Sequence, residues 1–319
     1  MKKLLLFLLL STLVGFNPDV FAGKWRINNN GVVADFISLQ EAVNSVYVLD
    51  GDTLLLESSL ISYGAASIYK RVVVLGTGYF LLENDSTQAI IGEATVGDIS
   101  FYGGSEGSIL MGFTTTGVYA MVDNLLIKRM RITSMVYVTG DNIVLTQSYV
   151  SVVQITNEAQ NFQMTNNVVD NTSTGYCFTM GSTSSATITN NIFGTIHFAY
   201  NSVYRNNIAT GTPAAGTSYF EGYYSVVTNN IGADNQYGSS NGNQSNIDMT
   251  TVFEGFTTST DAQWRLKPGS PAIGAGLNGV DCGVFGGPDP YVLSGMPSIP
   301  AIWFMNINGT EVSVKAKSH

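Results

Sequence analysis

Lys128, Arg129 and Arg131 put three cations within four positions of a chain with only 14 basic residues. Cations gathered this closely can hold an anion and stabilise negative charge as it develops. Asp123 and Asp141 stand 18 residues apart just beside them. Carboxylates stacked about one strand spacing apart invite Ca2+. Tyr200, Tyr204, Tyr219, Phe220, Tyr223 and Tyr224 crowd the later part of the chain, and flat rings of this kind stack on sugar faces. His197 is the one histidine away from the C-terminus; with no carboxylate nearby it reads as a bystander, not a base. Each group also has a plainer reading: Lys and Arg solvated on a strand, Asp capping a turn before Asn, aromatics filling a core.

A repeat positions these residues. It runs Ile127-Lys128-Arg129-Met130-Arg131-Ile132, Leu145-Thr146-Gln147-Ser148-Tyr149-Val150, Met164-Thr165-Asn166-Asn167-Val168-Val169, Ile188-Thr189-Asn190-Asn191-Ile192-Phe193, Tyr204-Arg205-Asn206-Asn207-Ile208-Ala209 and Val227-Thr228-Asn229-Asn230-Ile231-Gly232. Successive copies are displaced by 18, 19, 24, 16 and 23 residues. Short apolar strands broken by Asn and Gly at that period predict a stacked β-coil. The apolar residues should face the bore and the polar pair should turn the chain, since Asn tolerates left-handed backbone angles. Asn124, Asn142 and Asn161 precede the first three copies at one common offset, forming a second column. Stacked amides can then bond along the axis.

Met1-Lys2-Lys3, the apolar run from Leu4 to Val14, and Val20-Phe21-Ala22 before Gly23 read as a leader peptide over 1–22 with cleavage after Ala22. The run is too short to span a bilayer, and no later stretch is long enough, so the exported chain should contain no integral membrane segment. Of 14 basic and 23 acidic residues, two lysines and one aspartate precede Gly23, leaving 12 and 22 and a net charge near −10. That balance argues against nucleic acid or anionic lipid as partner. Cys177 and Cys282 could pair in an oxidising compartment or stay as two buried thiols.

Ser38 followed by Glu41 forms a capping box, with Leu39, Ala42, Val43 and Val46 on one helical face. A short helix there would cover the open end of a solenoid before strand Leu54-Leu55-Leu56. Gly76-Thr77-Gly78 is no phosphate loop, since no helix follows it.

The cap, the Lys70-Arg71-Val72-Val73-Val74-Leu75-Gly76 coil and the Asn-Asn-Ile copies resemble the right-handed parallel β-helix of the pectin-lyase-like superfamily. So does the closing element Leu266-Lys267-Pro268-Gly269-Ser270-Pro271-Ala272-Ile273-Gly274 with Asp281-Cys282-Gly283, which is similar to that of many secreted bacterial β-helix proteins. The resemblance covers roughly 24–287 and implies fold, not chemistry. In lyases of this kind a Lys or Arg abstracts the proton alpha to a uronate carboxylate while a second cation or Ca2+ neutralises it. By resemblance, Lys128, Arg129 and Arg131 would carry that chemistry, with Ca2+ at Asp123 and Asp141.

The expectation is an all-β, single-stranded right-handed parallel β-helix of about ten coils over 23–287, helix-capped at its N-terminus. A Pro-containing linker and a short β tail, a hairpin turning at Asn308-Gly309, should follow over 288–319. The expected role is contact with extracellular polysaccharide or glycan through Tyr200, Tyr204, Tyr223 and Tyr224, secreted or at the cell surface, with no catalysis required. The alternatives are a uronate lyase acting by β-elimination, favoured over a hydrolase if the chain is an enzyme, and a structural surface protein or adhesin. No cofactor is demanded; Ca2+ is the one the pattern could use.

Overall fold

Strands of three or four residues recur at every copy because each turn pair ends one strand and starts the next. A computed structural model describes residues 22–84, 87, 92–170, 176–196, 198–211, 221–255, 261–297, 301–309 and 311–317. Residues 1–21, which hold all of the expected leader but Ala22, lie outside the described residues, as do His197, Tyr219 and Phe220. The strands stack into long parallel sheets, a parallel β-solenoid.

The first sheet has ten strands in strict chain order, from Lys24–Ile27 through Leu126–Lys128 to Val226–Thr228. Its central column pairs Leu54, Val74, Leu110, Ile127, Leu145, Met164, Ile188 and Tyr204 in register. All eight are 0% exposed. The first apolar residue of each copy therefore faces the bore, as its alternation with polar neighbours requires.

The two polar positions that follow do different work. The first carries left-handed backbone angles in all six copies: φ is 52° at Arg129, 52° at Gln147, 55° at Asn166, 56° at Asn190, 57° at Asn206 and 56° at Asn229. The second points inward and builds a ladder. Asn191 Oδ1 accepts from both the main-chain and side-chain nitrogens of Asn167, and Asn207, Asn230 and Asn243 repeat this at 2.9–3.1 Å. Each inner amide also donates to main-chain oxygens, as Asn207 does to Ile188. These buried amides are satisfied. Asn124, Asn142 and Asn161 take left-handed angles too, at an exposed turn.

The second face is buried on both sides. Its outward column runs Thr95, Thr114, Arg131, Tyr149, Val168, Ile192, Ile208, Ile231 in register. From Val168 onward these residues join a second core with Val252, Phe253, Ala272, Cys282 and Val284, while Val150, Val169 and Phe193 fill the bore. Consecutive apolar residues in Val168-Val169 and Ile192-Phe193 follow from that double coverage. Only one residue of each such pair faces the bore; the other lies beneath the C-terminal segment.

A third face stacks Ala66–Ile68, Ile99–Phe101, Val118–Ala120, the end of Arg131–Val138, the end of Tyr149–Ile155 and Phe178–Met180. Phe198–Tyr200 and Glu221–Tyr223 add a further parallel pair. The bulge between Ile132 and Met135 marks the corner between the second and third faces.

The helix Leu39–Asn44 starts at Ser38, whose hydroxyl accepts from the Glu41 N–H at 3.1 Å, and buries Leu39, Ala42 and Val43. It stops before Val46, which is 81% exposed and not on the buried face. Residues 288–297, expected as a linker, lie against the solenoid: Tyr291 is buried and its hydroxyl meets that of Tyr79 at 2.7 Å. Ala301–Asn308 and Glu311–Lys317 form a separate antiparallel hairpin. Cys177 and Cys282 are buried free thiols, not a disulfide.

Candidate functional site

The basic coil lies beneath the C-terminal segment. Arg129 donates from Nε to Gln147 Oε1 at 2.8 Å and from Nη1 to the Met296 oxygen at 2.6 Å, and it is 5% exposed. Burial lowers its guanidinium pKa, against the pull of Asp289 and Tyr79. The same outer position in later copies does the same work. Gln147 donates to the Pro290 oxygen and Asp289 Oδ1, Asn166 to the Val284 and Gly286 oxygens, Asn190 to the Asp281 oxygen, and Asn229 to the Ala275 oxygen. Asn206 Oδ1 accepts from the Leu277 N–H, so residues 275–296 form a strap antiparallel to the coil order, held by the outer side chain of each coil. Lys128 reaches it as well, by a 3.3 Å ion pair with Asp289. Arg129 and Gln147 stand where Asn stands elsewhere because they hold this strap too.

Asp123 and Asp141 do stack, but toward main chain. Asp123 Oδ1 accepts from the Asp141 N–H at 2.8 Å, and Asp141 Oδ1 from the Gln160 N–H at 2.7 Å. That geometry caps turns. Among the described residues no group of three or more His, Cys, Asp or Glu is placed to hold a metal ion.

Arg131 differs from its two neighbours. It points out of the second face with its guanidinium 4.4 Å from the Phe80 ring centroid, and Phe80 also meets Tyr149 edge-on at 5.5 Å. The Tyr149 hydroxyl approaches Asp170 Oδ2 at 3.4 Å, and burial raises the Asp170 pKa. Glu93 accepts from the Phe80 N–H at 2.6 Å and from the Thr114 hydroxyl at 3.3 Å. Phe80, Glu93 and Asp170 carry no repeat signal, so sequence reading passes over them.

The tyrosines separate into two sets. Tyr204 is 0% exposed in the bore, edge-on to Phe178, and presents no face to a ligand. Tyr200 and Tyr223 pair in register and stack at 5.4 Å and 13°, with Tyr223 47% exposed. Tyr224, at φ 54°, is 92% exposed. The third face carries further pairs: Tyr69 with Tyr102, stacked at 4.8 Å and 11°, and Tyr119 with Tyr137 at 6.2 Å. Strand register brings Tyr119 over Tyr137 and Tyr200 over Tyr223 across wide sequence separations, and Tyr69 and Tyr102 directly follow the paired Ile68 and Phe101. Their irregular spacing in the sequence hid them.

Comparisons with family models, curated proteins and solved structures find no match to this chain.

Proposed function

We propose that this chain is a secreted or surface-exposed binding protein that grips extracellular polysaccharide along its third face without transforming it. The observation that carries the reading is the set of outward tyrosine pairs on that face, ending in the exposed rings of Tyr223 and Tyr224. Ring edges, hydroxyls and end-of-stack faces offer a sugar both apolar contact and hydrogen bonds. In the same reading the solenoid is right-handed, as crossovers between parallel strands overwhelmingly are. It has about ten coils closed by the Leu39–Asn44 helix, as its resemblance to the pectin-lyase-like superfamily implies, and it is exported by cleavage after Ala22.

What weighs toward binding without catalysis in this reading is how the basic coil is used. Arg129 and Lys128 are committed to the strap, and Asp123 and Asp141 to main-chain N–H groups. A panel of neutral and acidic polysaccharides in affinity electrophoresis tests the reading. Tyr223→Ala with Tyr224→Ala should weaken retention several-fold while leaving the melting temperature within a few degrees. Retention equal to the parent, or release of unsaturated uronates in the presence of Ca2+ that Arg131→Ala abolishes, would overturn it.

A further inference from the structure

The nitrogen of Gly23 sits 2.6 Å from Asp52 Oδ1. Asp52 is 3% exposed and gathers two more donors on its other oxygen, the Trp25 indole at 2.8 Å and the Leu49 N–H at 2.9 Å. Space around Gly23 is fully taken: a Cβ there would lie 2.9 Å from Asp52 Oδ2 and 3.0 Å from Trp25 Nε1. The Gly23 oxygen accepts from the Thr53 N–H at 2.8 Å, which fixes the residue on both sides. Ala22, by contrast, is exposed. A buried carboxylate with one oxygen given over to the Gly23 nitrogen and the other held by Trp25 and Leu49, next to an exposed Ala22, is placed to receive a charged group at Gly23.

We propose that Asp52 is the docking site for the α-ammonium group created when a leader peptidase cuts between Ala22 and Gly23. Water adds across that bond: the Ala22 carbonyl becomes a carboxylate and leaves with the leader, and the Gly23 nitrogen becomes an amine that takes up a proton. The neutral N–H donor at 2.6 Å is thereby replaced by a cation on the same oxygen. The carboxylate already makes that bond a charge-assisted one; the positive charge gained by the donor adds an ion pair on the same oxygen. Lys70 is the other cation acting on Asp52, and its ammonium is already held by the Ser45 and Val48 oxygens. Processing would therefore lock the first coil, pinning strand Lys24–Ile27 to strand Thr53–Leu56 at the end where stacking on one side is missing. Glycine is required because only an absent side chain leaves room for the carboxylate.

The inference rests on the leader reading above, and its test separates the two. The chain is prepared from a tag whose removal leaves Gly23 first, and again with Ala22 kept before it. The Gly23-first protein should melt several degrees higher, and the difference should shrink to near zero when both carry Asp52→Asn. Equal melting temperatures in the Asp52 background would overturn the lock; so would a difference that Asp52→Asn leaves unchanged. Leu60→Asn, at a fully exposed side chain of the same end, should leave the difference intact. Mass spectrometry of the exported protein answers the other question, since a first residue other than Gly23 removes the leader reading whatever the melting curves show.

Discussion

The guanidinium of Arg129 donates to the main-chain oxygen of Met296, 167 residues later, at 2.6 Å. This bond ties an early coil to the far end of the strap. It also separates two neighbours that look alike in sequence. Charged hydrogen bonds at buried sites contribute about 1.5–3 kcal/mol, while partly exposed ion pairs contribute under about 1 kcal/mol. Arg129→Ala should therefore lower stability by about 2–4 kcal/mol in urea titration, and Lys128→Ala by less than about 1 kcal/mol. Equal losses would show that the strap bond carries no special weight.

Gly295 tests the same clamp from the strap side. A Cβ there would meet the Tyr79 ring at 2.1 Å and the Arg129 oxygen at 2.7 Å, at a φ of 53°. Neither the buried ring nor the main chain can yield cheaply, so Gly295→Ala should lift the strap's end. Limited proteolysis should then cut near 288–297 in the variant and not in the parent. Resistance equal to the parent's would count against a tightly seated strap.

The inner ladder links successive coils through buried amides. Asn207 accepts from two Asn191 nitrogens and donates to Asn230 Oδ1 and to the Ile188 oxygen. Asn207→Leu keeps the branching but orphans buried partners on both sides, at about 1–3 kcal/mol for each unsatisfied group. Loss of roughly 3–5 kcal/mol, or failure to fold, is expected. Asn161→Leu, at an exposed turn, should cost about 1 kcal/mol or less beyond its left-handed strain.

Why the solenoid was legible and the site was not comes down to periodicity. Ile127, Leu145, Met164 and Ile188 repeat because every coil needs an inward residue at that place, and the Asn pairs repeat because every coil turns there. The period alone does not say that the first amide of a pair faces a strap and the second faces the bore. It also does not say that Val168 and Val169 serve two different cores. Tyr204 occupies the inward column and looks the same in sequence as Tyr200, which does not. Arg129 and Gln147 read as exceptions to the Asn column, although they do the same work with longer side chains. Apart from Asp289, the strap's residues accept from these side chains through main-chain oxygens, which leave no mark on side-chain identity.

Asp52 makes the first coil sensitive to acid. Burial would raise its pKa, but the Leu49 N–H, the Trp25 indole and the Gly23 N–H together hold it below the usual carboxylate range. A lowered folded value means the stabilisation is present above the unfolded value, about 3.9, and is lost as pH falls through the folded one. Melting temperature should therefore drop on acidification below about pH 4. The drop should be shallower in Asp52→Asn, whose remaining acid sensitivity comes from groups such as Glu57, held low by its bond to Arg26. Identical slopes in parent and variant would mean the carboxylate is not ionised against those donors.

Cys177 and Cys282 respond in the opposite sense. Burial pushes both thiols up to about 12. The Cys177 thiol meets the Thr195 oxygen at 2.9 Å and the Cys282 thiol the Asn229 oxygen at 3.2 Å, so each sits as a protonated donor. A thiol kept neutral by folding stabilises fully below its unfolded value, about 8.5, and loses that contribution as pH rises toward the folded one. Because only the thiolate attacks, a disulfide reagent at pH 8 should find no reactive thiol in the native protein and both after denaturation. Cys177 belongs to the bore and Cys282 to the strap's core, so the order of their exposure reports which layer opens first. Cys282 should react at lower denaturant than Cys177, since the strap covers a smaller core and adds no strand to the solenoid's sheets, while the bore is closed by continuous ones. Simultaneous reaction would make strap and solenoid one cooperative unit.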